Sequence, residues 1–238
     1  MPYSYMDMQA LSRFLGMDIR KARKAAQRGD IPCQKVGGQL RFNRAEVTEW
    51  LQQQMGSMQK SNLQDLDKGI AADRETDATD MLISPLLRNE AICVDLHART
   101  KKSVLSQLTK LAESTGLLWD SEGLNESLIQ REELCSTAMP GGIAIPHPRK
   151  HDQYMQEDTI LVIARTGNGI GFGSPDGGMT DLFFMLCSPD DRHHLHILAR
   201  LCQMLYENDF VNQLRYAVDA DEICNLMITR EQEILAQH

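Results

Sequence analysis

"GGIAIPHPR", residues 141–149, runs from two glycines through a short apolar stretch to one histidine set between Pro146 and Pro148. A proline confines the residue before it to extended geometry, so Ile145 and His147 both read as extended chain. The imidazole is therefore presented from a stiff, non-helical strand end. Gly141 and Gly142 carry no Cβ and allow another group to approach the backbone closely. A histidine titrates near neutrality and has a nucleophilic ring nitrogen, so it can accept a phosphoryl group and hand it on. The competing reading is a hydrogen-bonded structural histidine.

Two other segments bear on that choice. In "SLIQREELCST" Arg131 falls in the last turn of a helix, sixteen residues before His147. A guanidinium fork matches the oxygens of a phosphoryl group, which is what a phosphohistidine needs beside it. In "DDRHHLHILARLCQML" helical phase sorts the histidines, because each residue turns the helix by about 100°. The apolar stripe is Leu195, Leu198, Leu201, Cys202 and Leu205, and His194 lies within about 30° of its centre. His193 and His196 point about 130° and 170° away and read as solvated. The spacing and partners of a metalloprotease-type site are missing, so no metal is expected.

The surrounding chain of 238 residues is 42% hydrophobic and 24% charged, the balance of an ordinary globular protein. It has no run of the roughly 20 apolar residues a membrane span needs, and its first residues lack a secretory signal. Six cysteines (33, 93, 135, 187, 202 and 224) are scattered without a C-x-x-C pair and read as reduced thiols. These features give the expectation of a cytoplasmic protein with no membrane partner. Charge is uneven. Residues 1–58 hold nine Lys/Arg against five Asp/Glu, a balance of +4, while the remainder holds 16 against 28, or −12. A basic head on an acidic body suggests two domains with different partners.

The periodicity divides the chain into a domain at 1–56, a polar and in part helical linker at 57–80, and a second domain at 81–238. In the head, "MDMQALSRFLG" is a helix with Met8, Leu11, Phe14 and Leu15 on one face. Asp18 caps a second helix, which leaves Arg20, Lys21, Arg23, Lys24 and Arg28 outside. "CQKVGGQLRF" (33–42) is a hairpin around Gly37–Gly38 that carries Arg41, and Asn43 starts a third helix. A basic helix followed by a wing can enter a DNA groove and rest on phosphates, so these six cations are the candidate DNA contacts. In the body, helices at about 102–114, 122–134, 191–205 and 208–217 alternate with strands at about 142–146, 159–165 and 182–187, an α/β layered arrangement.

The head resembles the excisionase-type, MerR-like helix-turn-helix domain through Arg28-Gly29-Asp30-Ile31-Pro32, Val36-Gly37, Arg41-Phe42 and Trp50-Leu51. Its second helix, "RKARKAA", departs from the family pattern. The body resembles the type 2 enzyme IIA domain of the bacterial phosphotransferase system, in its fructose/mannitol and nitrogen-regulatory branch. The family signature R-E-x-L-x-S-T-G-x-G-x-G-V-A-I-P-H meets "REELCSTAMPGGIAIPHPR" (131–149), with departures at Ala138 and Pro140. "GIGFGSPDGGMTDLFFMLC" and the histidine-bearing helix after it match the second family segment. The resemblance implies a mixed central β-sheet with helices on both faces, an α/β (α+β) fold. It implies that His147 takes a phosphoryl group from an HPr-like phosphocarrier, with Arg131 stabilising charge and His194 holding the phosphate or orienting the ring. No cofactor is implied, since the phosphoryl group is carried covalently on His147. A IIB component or a regulatory target would be the next partner, and DNA the partner of the head. Adding about −1.5 to −2 charges to an acidic body would also disfavour its approach to DNA. Two rival readings stand beside this one: a binding regulator that keeps the fold without the chemistry, and a head that docks protein.

Overall fold

The computed structural model describes residues 5–56, 58–72, 82–149 and 155–236. These form two compact units: Met1–Met81 with Leu195–Gln203, and Leu82–His194 with Met204–His238.

The first unit begins with β1 (Tyr5–Met6) and α1 (Met8–Phe14), whose N-terminus is held by Asp7 accepting from the Ala10 amide at 2.8 Å. Asp18 likewise caps α2 (Ile19–Arg28), and Gly29, at φ +83°, ends it. The hairpin of β2 (Gln34–Val36) and β3 (Gln39–Asn43) turns through Gly37 and Gly38, both at positive φ, as a two-residue turn between right-twisted strands requires. Strand β1 pairs with the other edge of β3. Asn43 caps α3 (Arg44–Met55) by accepting from the Ala45 and Glu46 amides. Leu11, Phe14, Ala22, Ile31, Phe42, Val47 and Leu51 make the small core.

Residues 60–72 of the polar 57–80 segment form a helix, α4 (Lys60–Ala72); positions 57 and 73–80 lie outside the described residues. Leu63, Leu66 and Asp67 are buried on one side of it, an i, i+3, i+4 face hidden among charged neighbours. Helix α4 packs on α1 backbone to backbone. A Cβ at Gly69 would stand 2.4 Å from the Gly16 amide nitrogen.

The second unit is built on a five-stranded mixed sheet. Its order is β4 (Ile92–Cys93), β7 (Ile160–Ile170), β8 (Thr180–Cys187), β6 (Ile143–Ala144), β5 (Ala138–Met139). Strands β7 and β8 form an antiparallel hairpin, with Leu161 opposite Leu186 and Ile163 opposite Phe184. On one face Val162, Ala164, Phe183 and Met185 pack with Val104, Leu105 and Leu108 of α5 (Lys101–Glu113) and Leu124 and Leu128 of α6 (Ser121–Leu134). The alternate residues Leu161, Ile163, Phe184 and Leu186 are buried too, which is why these strands read as continuous apolar runs. From that side Arg165 of β7 donates to the carbonyls of Leu214, Arg215 and Ala217, the end of α8 (Asn208–Tyr216). Helices α7 (Asp191–Met204) and α9 (Ala220–Leu235) complete the chain.

The expected strand at 142–146 pairs regularly only over 143–144. Proline has no amide to donate, so the ladder stops at Pro146 although the chain continues. Helix α9 and the short strands β1 and β5 are not among the expected elements; two-residue strands carry no usable period.

Gly69→Ala is expected to destabilise the chain by about 1–3 kcal/mol, the cost of forcing a methyl into a filled contact. Gly171→Ala, where an added Cβ meets nothing within 4 Å, is the control. Denaturant unfolding of the two variants checks the difference.

Candidate functional site

His147 is 2% exposed, at the end of the strand segment that β6 begins. Two backbone bonds fix its support: the Ile145 amide donates to the Thr137 carbonyl at 3.1 Å, and the Leu186 amide donates to the Pro146 carbonyl at 3.0 Å. The ring itself is set by Nδ1, 2.8 Å from the Ile145 carbonyl oxygen. A carbonyl only accepts, so Nδ1 carries the hydrogen. In the neutral ring Nε2 then carries the lone pair.

His194 stands in the first turn of α7, fully buried, its ring centroid 5.1 Å from that of His147 with planes tilted 53°. The two histidines chosen by helical phase and by the proline frame are thus brought together. Arg131 is buried in the last turn of α6, where Nη1 donates to the Cys135 carbonyl at 2.7 Å. Through Thr137, two residues on, that segment pairs with Ile145, so a run of side-chain and backbone bonds leads from Arg131 to His147.

The support extends further than the sequence reading reached. The buried Glu132 carboxylate accepts from the Thr137 amide and hydroxyl and from Lys101 Nζ at 3.1 Å, pinning the start of β5 to α5. Arg215 of α8 grips Asp181 through both carboxylate oxygens at 2.8 Å and the Gly141 carbonyl at 2.5 Å. This explains Gly142, while Gly141 is required by its φ of +87°. A Cβ at Gly142 would lie 2.7 Å from Arg215 Nη2 and 2.9 Å from Asp181 Oδ1. Nothing in the linear spacing of Arg215 signals this role, whereas Glu132 stands beside Arg131 in the quoted motif.

Asp176 closes the loop that faces the same turn. It accepts from the Gly178 and Gly141 amides and lies 2.6 Å from the Ser174 hydroxyl. The Ser174 hydroxyl first, then these amides, hold its carboxyl below the ordinary value of 3.8.

The other two histidines depart from expectation. His193 is half-buried with Nδ1 3.1 Å from the Thr159 hydroxyl, and His196 is 1% exposed. The phase argument gave their directions but not their surroundings. From His194 to Met204 α7 is buried throughout, so a residue opposite the apolar stripe still meets protein. Among the described residues no group of three His, Cys, Asp or Glu is placed to hold a metal. Burial pushes the Cys187 and Cys202 thiols up to about 12, and all six cysteines are unbridged.

In the first unit Arg20, Lys21, Arg23, Lys24 and Arg28 are exposed along α2, while Arg41 is half-buried on β3 with Nη2 3.2 Å from Gln39 Oε1. Arg28 is paired with Asp30 at 2.8 Å. Between α2 and the wing runs a groove of about 790 Å³, lined in part by Ile19, Arg23, Gln27, Lys35 and Gln39.

A mixed sheet that presents one histidine from a proline-framed strand against a second on a helix defines an enzyme IIA-type module, here following a helix-turn-helix domain. The chain belongs to the family "Phosphoenolpyruvate-dependent sugar phosphotransferase system, EIIA 2", whose model matches residues 85–229, and a helix-turn-helix domain model matches residues 5–55. It is similar to a nitrogen regulatory protein of Bradyrhizobium diazoefficiens, 36% identical over 150 residues that cover 62% of this chain and 95% of the relative. Among solved structures, nitrogen regulatory protein IIA-Ntr from Neisseria meningitidis matches with a TM-score of 0.56 and 26% identity, over 61% of this chain and 98% of that one. The Escherichia coli complex of mannitol enzyme IIA with phosphorylated enzyme IIB matches in fold, with a TM-score of 0.54 at 19% identity over 60% of this chain and 97% of that one. No helix among the described residues is long and apolar enough to cross a membrane.

Asp176, its carboxyl held below the ordinary value, lends stability that is present above that value and lost as pH falls through the depressed one. The protection of the Gly141 and Gly178 amides from hydrogen exchange, taken relative to the intrinsic rate at each pH, should therefore hold from pH 5 to 8 and fall only below about 3.8. In Asp176→Asn that protection should be low at every pH.

Proposed function

We propose that this chain is a regulatory phosphoryl carrier. His147 takes the group from the phosphohistidine of an HPr-like protein, and the first unit binds DNA. The observation that carries the reading is the Nδ1 bond to the Ile145 carbonyl, which leaves Nε2 as the nucleophile. The Nε2 lone pair attacks phosphorus, the bond from phosphorus to the donor imidazole nitrogen breaks, and the donor ring takes that electron pair back. No cofactor is needed, because positioning and fixed charge lower the barrier for phosphoryl transfer. His194, in the first turn of α7, holds the incoming oxygens where the helix dipole favours negative charge. Arg131 supplies positive charge from the α6 end. The next acceptor is a IIB component, as in the mannitol complex, or a regulatory target. Kinship to nitrogen regulatory proteins and the helix-turn-helix domain favour a control role in the cytoplasm over dedicated sugar uptake. The cations of α2 and the wing neutralise DNA phosphates, and the groove between them admits the backbone.

Labelled phosphate supplied as phosphoenolpyruvate with enzyme I and HPr should reach wild type as an acid-labile Nε2 adduct. It should be absent from His147→Ala and formed on the order of 10²-fold more slowly by His194→Ala. A wild-type chain that takes no label is a binding regulator with the shape of a carrier.

Duplex DNA binding should weaken with salt. Each cation of Arg23 and Lys24 replaced by Ala should lower the slope of log affinity against log salt by about 0.9. Salt-independent binding, or none, would make the first unit a protein-docking module.

A further inference from the structure

We infer that Lys101 and Glu132 are a positioning pair for His147, acting through Thr137. Every residue concerned lies within the second unit. The Glu132 side chain, on the last turn of α6, is 2% exposed, and that of Lys101, at the start of α5, is 33% exposed. A carboxylate is costly to bury unless it is both hydrogen-bonded and matched by a cation. Glu132 has both. The Thr137 amide donates to each of its oxygens at 3.1 Å. Oε1 also accepts from Lys101 Nζ at 3.1 Å, and Oε2 from the Thr137 hydroxyl at 2.6 Å. One carboxylate thus gathers the start of α5, the end of α6 and the residue that leads into β5.

From Thr137 the hold passes to the imidazole in two bonds. The Thr137 carbonyl accepts from the Ile145 amide at 3.1 Å, and the Ile145 carbonyl accepts from His147 Nδ1 at 2.8 Å. A neutral imidazole has two tautomers, and the hydrogen bond made at one nitrogen decides which is present. The Ile145 carbonyl selects the Nδ1–H form only while it stays in line with the ring. Regular pairing of β5 with β6 ends at Ala138 opposite Ala144, so the Thr137–Ile145 bond carries the alignment beyond the ladder. Lys101 braces the same turn from a second side. It stands 4.9 Å from the centre of the Phe172 ring, and the Phe172 carbonyl accepts from the Ser136 hydroxyl at 2.8 Å. An amide in place of the Glu132 carboxylate would keep one acceptor and turn the other into a donor facing donors. The Thr137 joint would then loosen, and with it the choice of tautomer.

The consequence for transfer rests on the phosphoryl-carrier reading, whereas the choice of tautomer does not. The test uses the full chain with Glu132→Gln, Lys101→Met and Lys101→Arg and two readouts. One is the set of ring ¹⁵N–¹H correlations of His147, assigned by their loss in His147→Ala. The other is kcat and KM for transfer from phosphorylated HPr. Wild type should show the Nδ1–H form. Glu132→Gln and Lys101→Met should each raise the share of the Nε2–H form and lower kcat about tenfold, since a misplacement of about 1 Å can cost as much as about 10²-fold. KM should stay within twofold, and Lys101→Arg, which keeps the cation, should retain most of kcat. An unchanged His147 tautomer in Glu132→Gln, or a change in KM alone, would overturn the inference. Should Glu132→Gln fail to fold, Lys101→Met decides by the same readings. If wild type accepts no phosphoryl group, the carrier reading fails, and the ring correlations alone still decide whether the pair sets His147.

Discussion

The 2.8 Å bond between His147 Nδ1 and the Ile145 carbonyl depends on everything that holds that carbonyl still. Ile145 is anchored by its amide to Thr137, and Thr137 is anchored by Glu132, which Lys101 neutralises. On the other side Pro146 is tied to β8, the centre of the sheet. Two prolines keep the segment extended where regular pairing has ended. The sheet, the capped helices beside it and the Arg215 clamp on Gly141 all hold the segment that presents one imidazole. Little of this concerns the ring directly, because a buried ring's pose is mostly a property of its backbone.

Much of that arrangement was legible in the residues. The proline frame singled out His147, and the phase of α7 singled out His194, because both signals are local and periodic. The Asp18 and Asn43 caps and the Gly37–Gly38 turn were legible for the same reason, each being satisfied within a few residues. The stretch at 60–72 was not. Its buried Leu63, Leu66 and Asp67 are only three positions, one of them a carboxylate, and a buried Asp reads as solvent-facing until its cation is known. His196 failed in the same way. Helical phase tells which way a side chain points, and only the fold tells what is there. Arg215 and Asp181 are 34 residues apart and could be paired only after α8 had been placed.

The polar face of α7 also illustrates when buried charge is tolerated. Breaking such a pair by deleting one partner costs several kcal/mol, while a hydrophobic replacement of both is often neutral. A pair of this kind does more to fix which arrangement forms than how stable it is. On α7 the pair is Arg200 with Asp67 of α4, both inside the first unit.

Glu231 of α9 leads to a different consequence. Its carboxylate accepts from the amides of Ile83 and Ser84 and from the Ser84 hydroxyl, so the last helix holds the first residues of the second unit. The unit closes on itself like a buckle, with its entering and leaving strands of chain at one place. A module closed in this way can be strung after a helix-turn-helix domain, or joined to other partners, without its interior being rethreaded. That is a topological reason why one fold can be shared between a nitrogen regulatory protein and a much longer fructose-specific EIIABC component.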